Sequence, residues 1–106
     1  MANRWAGEVA LVIDGQRRVL KLTLGALAEL EEHLESGSLV ELVQRFEKSA
    51  FSSKDVLALI CAGLRGGGSD IAEASLLSAD IEGGPMAAAR AAAELLARAF
   101  TVPEQT

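Results

Sequence analysis

The chain has 106 residues, 50% of them hydrophobic, with 15 acidic and 10 basic side chains and a net charge of −5. This length predicts a single domain over residues 1–106. The acidic balance excludes a main role in nucleic-acid binding, which needs a basic stripe that displaces counterions from phosphates. With only one cysteine, Cys61, and one histidine, His33, the chain has neither an intrachain disulfide nor the four ligands of a structural zinc site.

We expect neither a signal peptide nor a membrane span. The apolar run near the N-terminus is interrupted by Glu8 and Asp14. The alanine-rich region near the C-terminus is broken by Arg90, Glu94 and Arg98, so no stretch reaches the ~18–20 apolar residues of a membrane helix. The sequence therefore predicts a cytoplasmic protein without membrane contact.

Residues 8–23 predict a β-hairpin. Two runs rich in β-branched and aliphatic residues, 8–13 and 18–23, flank the turn sequence Asp-Gly-Gln-Arg at 14–17. Two strands alone are marginally stable, so we expect this hairpin to pack on the rest of the chain.

The hairpin register depends on which two residues form the centre of the turn. A type II′ turn centred on Gly15 and Gln16 pairs Leu11 with Leu20 and gathers apolar side chains on one face. A turn centred one residue earlier places Leu11 opposite Arg18 and buries a charge. We therefore prefer the first register.

Helical periodicity predicts four or five helices over residues 24–100. Serines at Ser38 and Ser52 are each followed three residues later by an acidic residue, a pattern typical of a helix N-terminus. The segment that starts near Ser53 is apolar around most of its circumference, which predicts a central helix.

Glycines separate the last two predicted helices from the rest. The break at 66–68 precedes a short helix in which we expect Leu77 to face the core. The last helix is predicted over 85–100 with Met86 facing inward, and residues 101–106 are predicted to be a flexible tail. The resulting fold class is α+β, with an N-terminal β-hairpin packed on a small bundle of four to five helices.

The side chains capable of chemistry have simpler structural interpretations. Glu29, Glu31 and Glu32 occupy the polar side of an amphipathic helix, which indicates a solvated face rather than an acid–base pair. Cys61 lies on the most apolar helix, where a buried thiol is expected. We therefore expect no enzyme activity, no catalytic residue, no cofactor and no bound metal.

Two motifs resemble binding sites for phosphate-containing groups. The glycine cluster at 63–69 lacks the Lys-Ser/Thr pair of a Walker loop, which favours a helix end followed by a hinge. Ser38 begins a helix, as the modified serine of an acyl carrier protein does, but Gly37 stands where that motif has Asp. An acyl-carrier-like protein remains a remote alternative.

A partner-binding surface is predicted on the hairpin. In the preferred register Val12 lies opposite Val19 on the face away from Leu11, and Trp5 lies nearby in the sequence. Apolar patches beside free strand edges are common docking sites, and a weak homodimer through such an edge is a further expectation. The open alternative is that the C-terminal helix covers this face.

Several segments, taken in order, resemble the small tail proteins of alphaproteobacterial gene transfer agents and related siphophage-like prophages. These proteins are generally regarded as tail assembly chaperones. The segments that carry the resemblance span nearly the whole chain: residues 7–9, 22–31, 62–68, 81–85 and 95–100.

The resemblance implies a non-enzymatic tail assembly chaperone. Such a protein binds the tape-measure protein, and in some cases the tail tube protein, while the tail is being built. The alternative is a structural tail component, in the tube or as a minor tail protein. We prefer the chaperone because a tube subunit is expected to contain a larger β-sandwich. The resemblance supplies no catalytic residues.

Overall fold

A computed structural model describes residues 7–34, 38–69 and 71–100. It has the predicted α+β architecture, a two-stranded antiparallel hairpin followed by five helices. The elements in chain order are β1 (Val9–Ile13), β2 (Gln16–Leu20), α1 (Leu24–His33), α2 (Leu39–Glu47), α3 (Ser53–Gly66), α4 (Glu73–Leu76) and α5 (Gly84–Ala99). The strands are shorter than the predicted hairpin of 8–23, and the predicted tail at 101–106 lies outside the described residues.

The preferred hairpin register was wrong. Leu11 lies opposite Arg18, and the turn is centred on Asp14 and Gly15, whose φ angles are 51° and 77°. Two positive φ angles define a type I′ turn, whose twist matches that of the strands and which Asp-Gly favours. Arg18 is only half-buried, and its guanidinium donates to Oε1 of Gln16 at 2.7 Å, so this register does not bury the whole charge.

The outer edge of β1 is occupied near the turn by the chain that leads into α5. The backbone N–H of Asp14 donates to the carbonyl of Asp80 at 2.7 Å, and the N–H of Glu82 donates to the carbonyl of Val12 at 3.0 Å. The N–H of Asp80 also donates to Oδ1 of Asp14 at 2.8 Å. A third segment, around Ile81, therefore extends the hairpin by one bridge.

The outer side of β2 rests on the C-terminal end of α3, through the predicted glycine cluster. The N–H of Lys21 donates to the carbonyl of Gly63 at 2.9 Å. A β-carbon on Gly66 would lie 1.9 Å from the carbonyl oxygen of Lys21, and one on Gly67 would lie 2.0 Å from that of Val19. These glycines allow two backbones to approach each other, which explains their presence without any phosphate ligand.

The core is built around α3, as predicted. Its Ile60 and Leu64 are buried together with Leu20 of β2 and Leu95 of α5. The helix begins with a complete capping box at Ser52 and ends at Gly66, as its sequence indicates.

The inward face of α5 differs from the prediction. Met86 was expected in the core but is exposed, as is Leu77 just after α4. The buried stripe of α5 contains mostly small side chains, spaced at intervals of three or four residues, which let the helix approach α3 closely. This stripe consists of Ala88, Ala91, Ala92, Leu95 and Leu96.

Candidate functional site

Three side chains that the sequence offered for chemistry, Ser38, Glu29 and Cys61, have structural roles or are buried. The Ser38 hydroxyl accepts from the N–H of Glu41 at 3.3 Å and caps α2. Glu29 pairs with Arg65 at 2.5 Å on the surface. Cys61 is buried, and burial raises the pKa of its thiol, with Glu73 adding to the rise and Arg65 opposing it.

Within residues 7–34, 38–69 and 71–100, no group of three or more His, Cys, Asp or Glu side chains is arranged to hold a metal ion. None of the described helices combines the length and the apolar character needed to cross a membrane.

A partly buried ion pair joins α2 to the start of α3. Arg45 donates from Nε and Nη2 to the two carboxylate oxygens of Asp55, both at 3.0 Å. Burial raises the pKa of Asp55, but the hydrogen bonds from Arg45 and from the Ser52 backbone outweigh it and leave this pKa below its ordinary value. The hydrogen bonds that Arg45 donates to Asp55 raise the pKa of Arg45, against the effect of burial. Because every charged group here has a partner, we interpret the pair as structural.

The predicted hairpin surface is less open than the sequence indicated. Val12 and Val19 share the outer face, but each is half-buried, and in the observed register Val12 lies opposite Arg17. A cavity of about 260 Å³ separates β1 from α5, with Val12 and Arg17 on one side and Arg90 on the other. Trp5, the third predicted partner-binding residue, lies outside the described residues. Partner binding at these three positions remains a prediction.

A larger apolar groove, with a volume of about 670 Å³, is bounded by α3, α4 and the first half of α5. Its floor is the N-terminal half of α3, with Val56, Leu57 and Ile60. One wall is α4 with the residues after it, and the other is the first half of α5. Lys54 and Asp80 are the charged residues among those that line it.

Two large apolar side chains on the walls of this groove face solvent. Leu77 is 72% exposed and Met86 is 71% exposed. The sequence prediction missed the groove because it assigned both side chains to the core. A usable signal was the proline at the start of α5, since Met86 follows it in the first turn, ahead of the alanine stripe that packs on α3. Exposed apolar side chains around an apolar concavity are typical of a surface that binds another protein.

A second cavity, of about 380 Å³, lies across α4 from the groove. It is lined by α1, α3 and α4, and it includes Glu29, His33 and Cys61. Leu57 and Leu77 line both cavities, so α4 and its flanking residues separate two spaces on the same helix, α3.

In a comparison with protein families, the family model described as "Phage tail tube protein, GTA-gp10" matches residues 6–102. No curated protein and no solved structure shows significant similarity to this chain.

Proposed function

The chain belongs to the family described as phage tail tube protein, GTA-gp10, and we propose that it is a structural component of a phage-like tail. The observation that carries this proposal is the match over residues 6–102, almost the whole chain. A tail-related role comes with the family. The finer step, which we propose, is that the protein is retained in the assembled particle, in or beside the tube.

We further propose that the protein acts by binding other tail proteins and not by catalysis. Three observations support this: Cys61 is buried, Ser38 caps a helix, and the glycines of α3 pack against β2. The apolar groove with Leu77 and Met86 is the surface that we propose for these contacts. A cytoplasmic location, expected from the sequence, stays a prediction.

A tail assembly chaperone for the tape-measure protein is the second candidate. The exposed apolar groove favours it, because a chaperone needs an apolar surface to cover apolar segments of its client. The hairpin also favours it: contacts with Asp80 and Glu82 occupy part of the β1 edge, and β2 rests on α3. Little free strand edge is then left for extending a sheet into a tube.

Particle composition distinguishes the two candidates. Tails or particles are purified from the producing cells, and this chain is quantified against the tail tube protein by mass spectrometry. A structural component is present in a fixed ratio. A chaperone is depleted from the particle, and the tape-measure protein is soluble on co-expression only when this chain is present. Absence from the particle without any effect on tape-measure solubility would refute both.

The groove is tested by charge substitution at its two exposed apolar residues. We expect Leu77→Glu with Met86→Glu to reduce co-purification with the tail tube or tape-measure protein at least about tenfold, since the contact desolvates both apolar side chains. The matched control is Leu24→Glu, because Leu24 is 84% exposed and does not line the groove. Equal loss of binding in both variants would show that the groove is not the contact surface.

A further inference from the structure

The segment between the two cavities, residues 71–79, has few attachments to the rest of the protein; we call it the strap. Its hydrogen bonds within the described part of the chain join strap residues to one another, such as Ser75 to Ala72 and Leu77 to Glu73. Its helix, α4, has four residues and lacks a side-chain N-cap. A helix this short is not stable by itself, so side-chain packing must hold it in place.

That packing depends mainly on one side chain. Leu76 is 6% exposed and packs with the core, whereas Ile71 and Ala79 are only partly buried. The neighbouring Leu77 is exposed to solvent. Leu77 and Leu57 of α3 line both cavities and so lie at the boundary between them.

Both flanks of the strap are fixed by hydrogen bonds. On its N-terminal side the N–H of Gly68 donates to the carbonyl of Arg65 at 3.1 Å and that of Ser69 to Leu64 at 2.8 Å, so Gly68, with a φ of 92°, ends α3. On its C-terminal side Asp80 is fixed to the hairpin through two hydrogen bonds with Asp14, of 2.7 and 2.8 Å. The strap can therefore move between two fixed points without releasing β1 or the end of α3.

We propose that the strap opens as a unit away from α3 while the hairpin and the other helices stay folded. Opening removes Leu77 from between the two cavities, of about 380 and 670 Å³, and joins them into one groove along α3. A longer groove accommodates a longer segment of a partner; that use rests on the proposed function. The opening itself is a property of the isolated chain.

Cys61 is a natural reporter of this motion. It is the only cysteine, it is buried, and it lines the smaller cavity beside Glu73 and Leu77 of the strap. A thiol reagent reaches it directly through this cavity, when the strap opens, or when the whole protein unfolds. Urea dependence separates the last route, because strap opening exposes much less surface than global unfolding. Sensitivity to a substitution in the strap separates strap opening from direct access.

The experiment measures the rate at which an aromatic disulfide reagent labels Cys61 in the full chain at increasing urea. At low urea we expect Cys61 to be labelled faster than the population of globally unfolded protein allows. In this range the labelling rate should be nearly independent of the urea concentration. Leu76→Ala should accelerate it at least about tenfold, since the substitution removes the main contact of the strap. Leu42→Ala, on α2 and outside both cavities, should leave it unchanged.

Two results would overturn the proposal. One is a wild-type labelling rate that follows the urea dependence of global unfolding, and this result needs no variant to fold. The other is a labelling rate for Leu76→Ala that is no faster than the rate for Leu42→Ala, which would mean that Cys61 is reached by global unfolding or directly through the cavity that it lines. Because no tail protein is present, neither result depends on the proposed function.

Discussion

Asp55 is the only charged residue that is buried among those the structure describes, with 8% of its surface exposed. Its carboxylate has two roles, since it accepts from Arg45 and also closes the capping box with the Ser52 N–H at 2.9 Å. Removing it takes away the two charge-assisted hydrogen bonds that Arg45 donates to it, and half of the cap on the first turn of α3. We therefore expect this one residue to contribute more to stability than the surface ion pairs do.

The first prediction concerns pH. The pKa of Asp55 is lower in the folded protein than in the unfolded chain, where it is about 4. The ionised carboxylate therefore stabilises the fold fully at pH values above the unfolded-state pKa. This stabilisation is lost as the pH falls through the folded-state pKa. We expect Asp55→Asn to lower the free energy of unfolding by about 2–3 kcal/mol near pH 7, and by less as the pH falls toward about 2. Urea unfolding across this pH range measures the effect.

Glu29→Gln is the matched control for Asp55→Asn, because Glu29 also pairs with an arginine but is exposed. It should change the free energy of unfolding by at most about 1 kcal/mol near neutral pH. If the difference between wild type and Asp55→Asn is the same at low and neutral pH, the ionised Asp55 does not provide the stabilisation.

The second prediction concerns the end of α2. The N–H of Ala50 donates to the carbonyl of Arg45 at 2.8 Å and that of Ser49 to Phe46 at 3.2 Å, which is a Schellman motif with Ser49 at a φ of 56°. Glycine adopts this conformation without steric cost. Ser49→Gly should therefore raise the free energy of unfolding by about 0.5–1 kcal/mol, as measured by urea unfolding.

Lys48→Gly provides the control for Ser49→Gly at the neighbouring position. The φ of Lys48 is −92°, so glycine brings no relief there and adds freedom to the unfolded chain. A loss of stability is expected. Stabilisation by both substitutions would mean that the positive φ of Ser49 is not the cause.

At the scale of elements, the contact between β2 and α3 sets where the hairpin lies. Gly63 also takes part, because a β-carbon there would lie 2.8 Å from Cδ1 of Leu95 and 3.0 Å from Cβ of Leu20. Glycines at one end of α3 thus bring together a strand and two helices. The glycine cluster is a packing device, and its positions are not interchangeable with alanine.

The third prediction compares two glycine substitutions. Gly66→Ala should lower the free energy of unfolding by about 2–3 kcal/mol, because the added β-carbon would lie 1.9 Å from the carbonyl oxygen of Lys21. Gly25→Ala, in an exposed turn of α1 with its nearest atom at 4.0 Å, should raise it by about 0.5–1 kcal/mol. Thermal and urea unfolding of both variants measure the difference. Equal stabilities would contradict the close approach of β2 to α3.

At the scale of the whole molecule, the exposed rim of the apolar groove is separate from its floor, where Ile60 belongs to the core that stabilises the fold. Its exposed side chains, Leu77 and Met86, have little surface in contact with the protein itself. Their apolar character costs solubility without adding stability, which is the expected pattern for a surface that another protein covers.

The fourth prediction follows from that separation. Leu77→Glu with Met86→Glu should change the free energy of unfolding by no more than about 1 kcal/mol, since exposed substitutions contribute little. Val12→Asp with Val19→Asp should cost more than this, because both valines are half-buried. Urea unfolding separates the two double variants. A large loss of stability in the groove variant would mean that these side chains belong to the core.

Local patterns in the sequence were sufficient to predict the elements. Alternating aliphatic residues on both sides of Asp-Gly indicated the hairpin. The capping box at Ser52 and the helical spacing of the apolar residues after it indicated α3 as the central helix. These signals are local, since turns, caps and amphipathic periods depend on residues within a few positions of one another. The fold class could therefore be inferred without tertiary information.

Tertiary structure decided the register, the exposed surface and the role of the glycines. The burial of Arg18 was overestimated, because the end of a long side chain can reach solvent even when its strand face is buried. Met86 and Leu77 fit a helical stripe, yet α5 packs through its alanines and leaves them exposed. Which face of an element is buried depends on the partner it meets, and those partners come from distant parts of the chain.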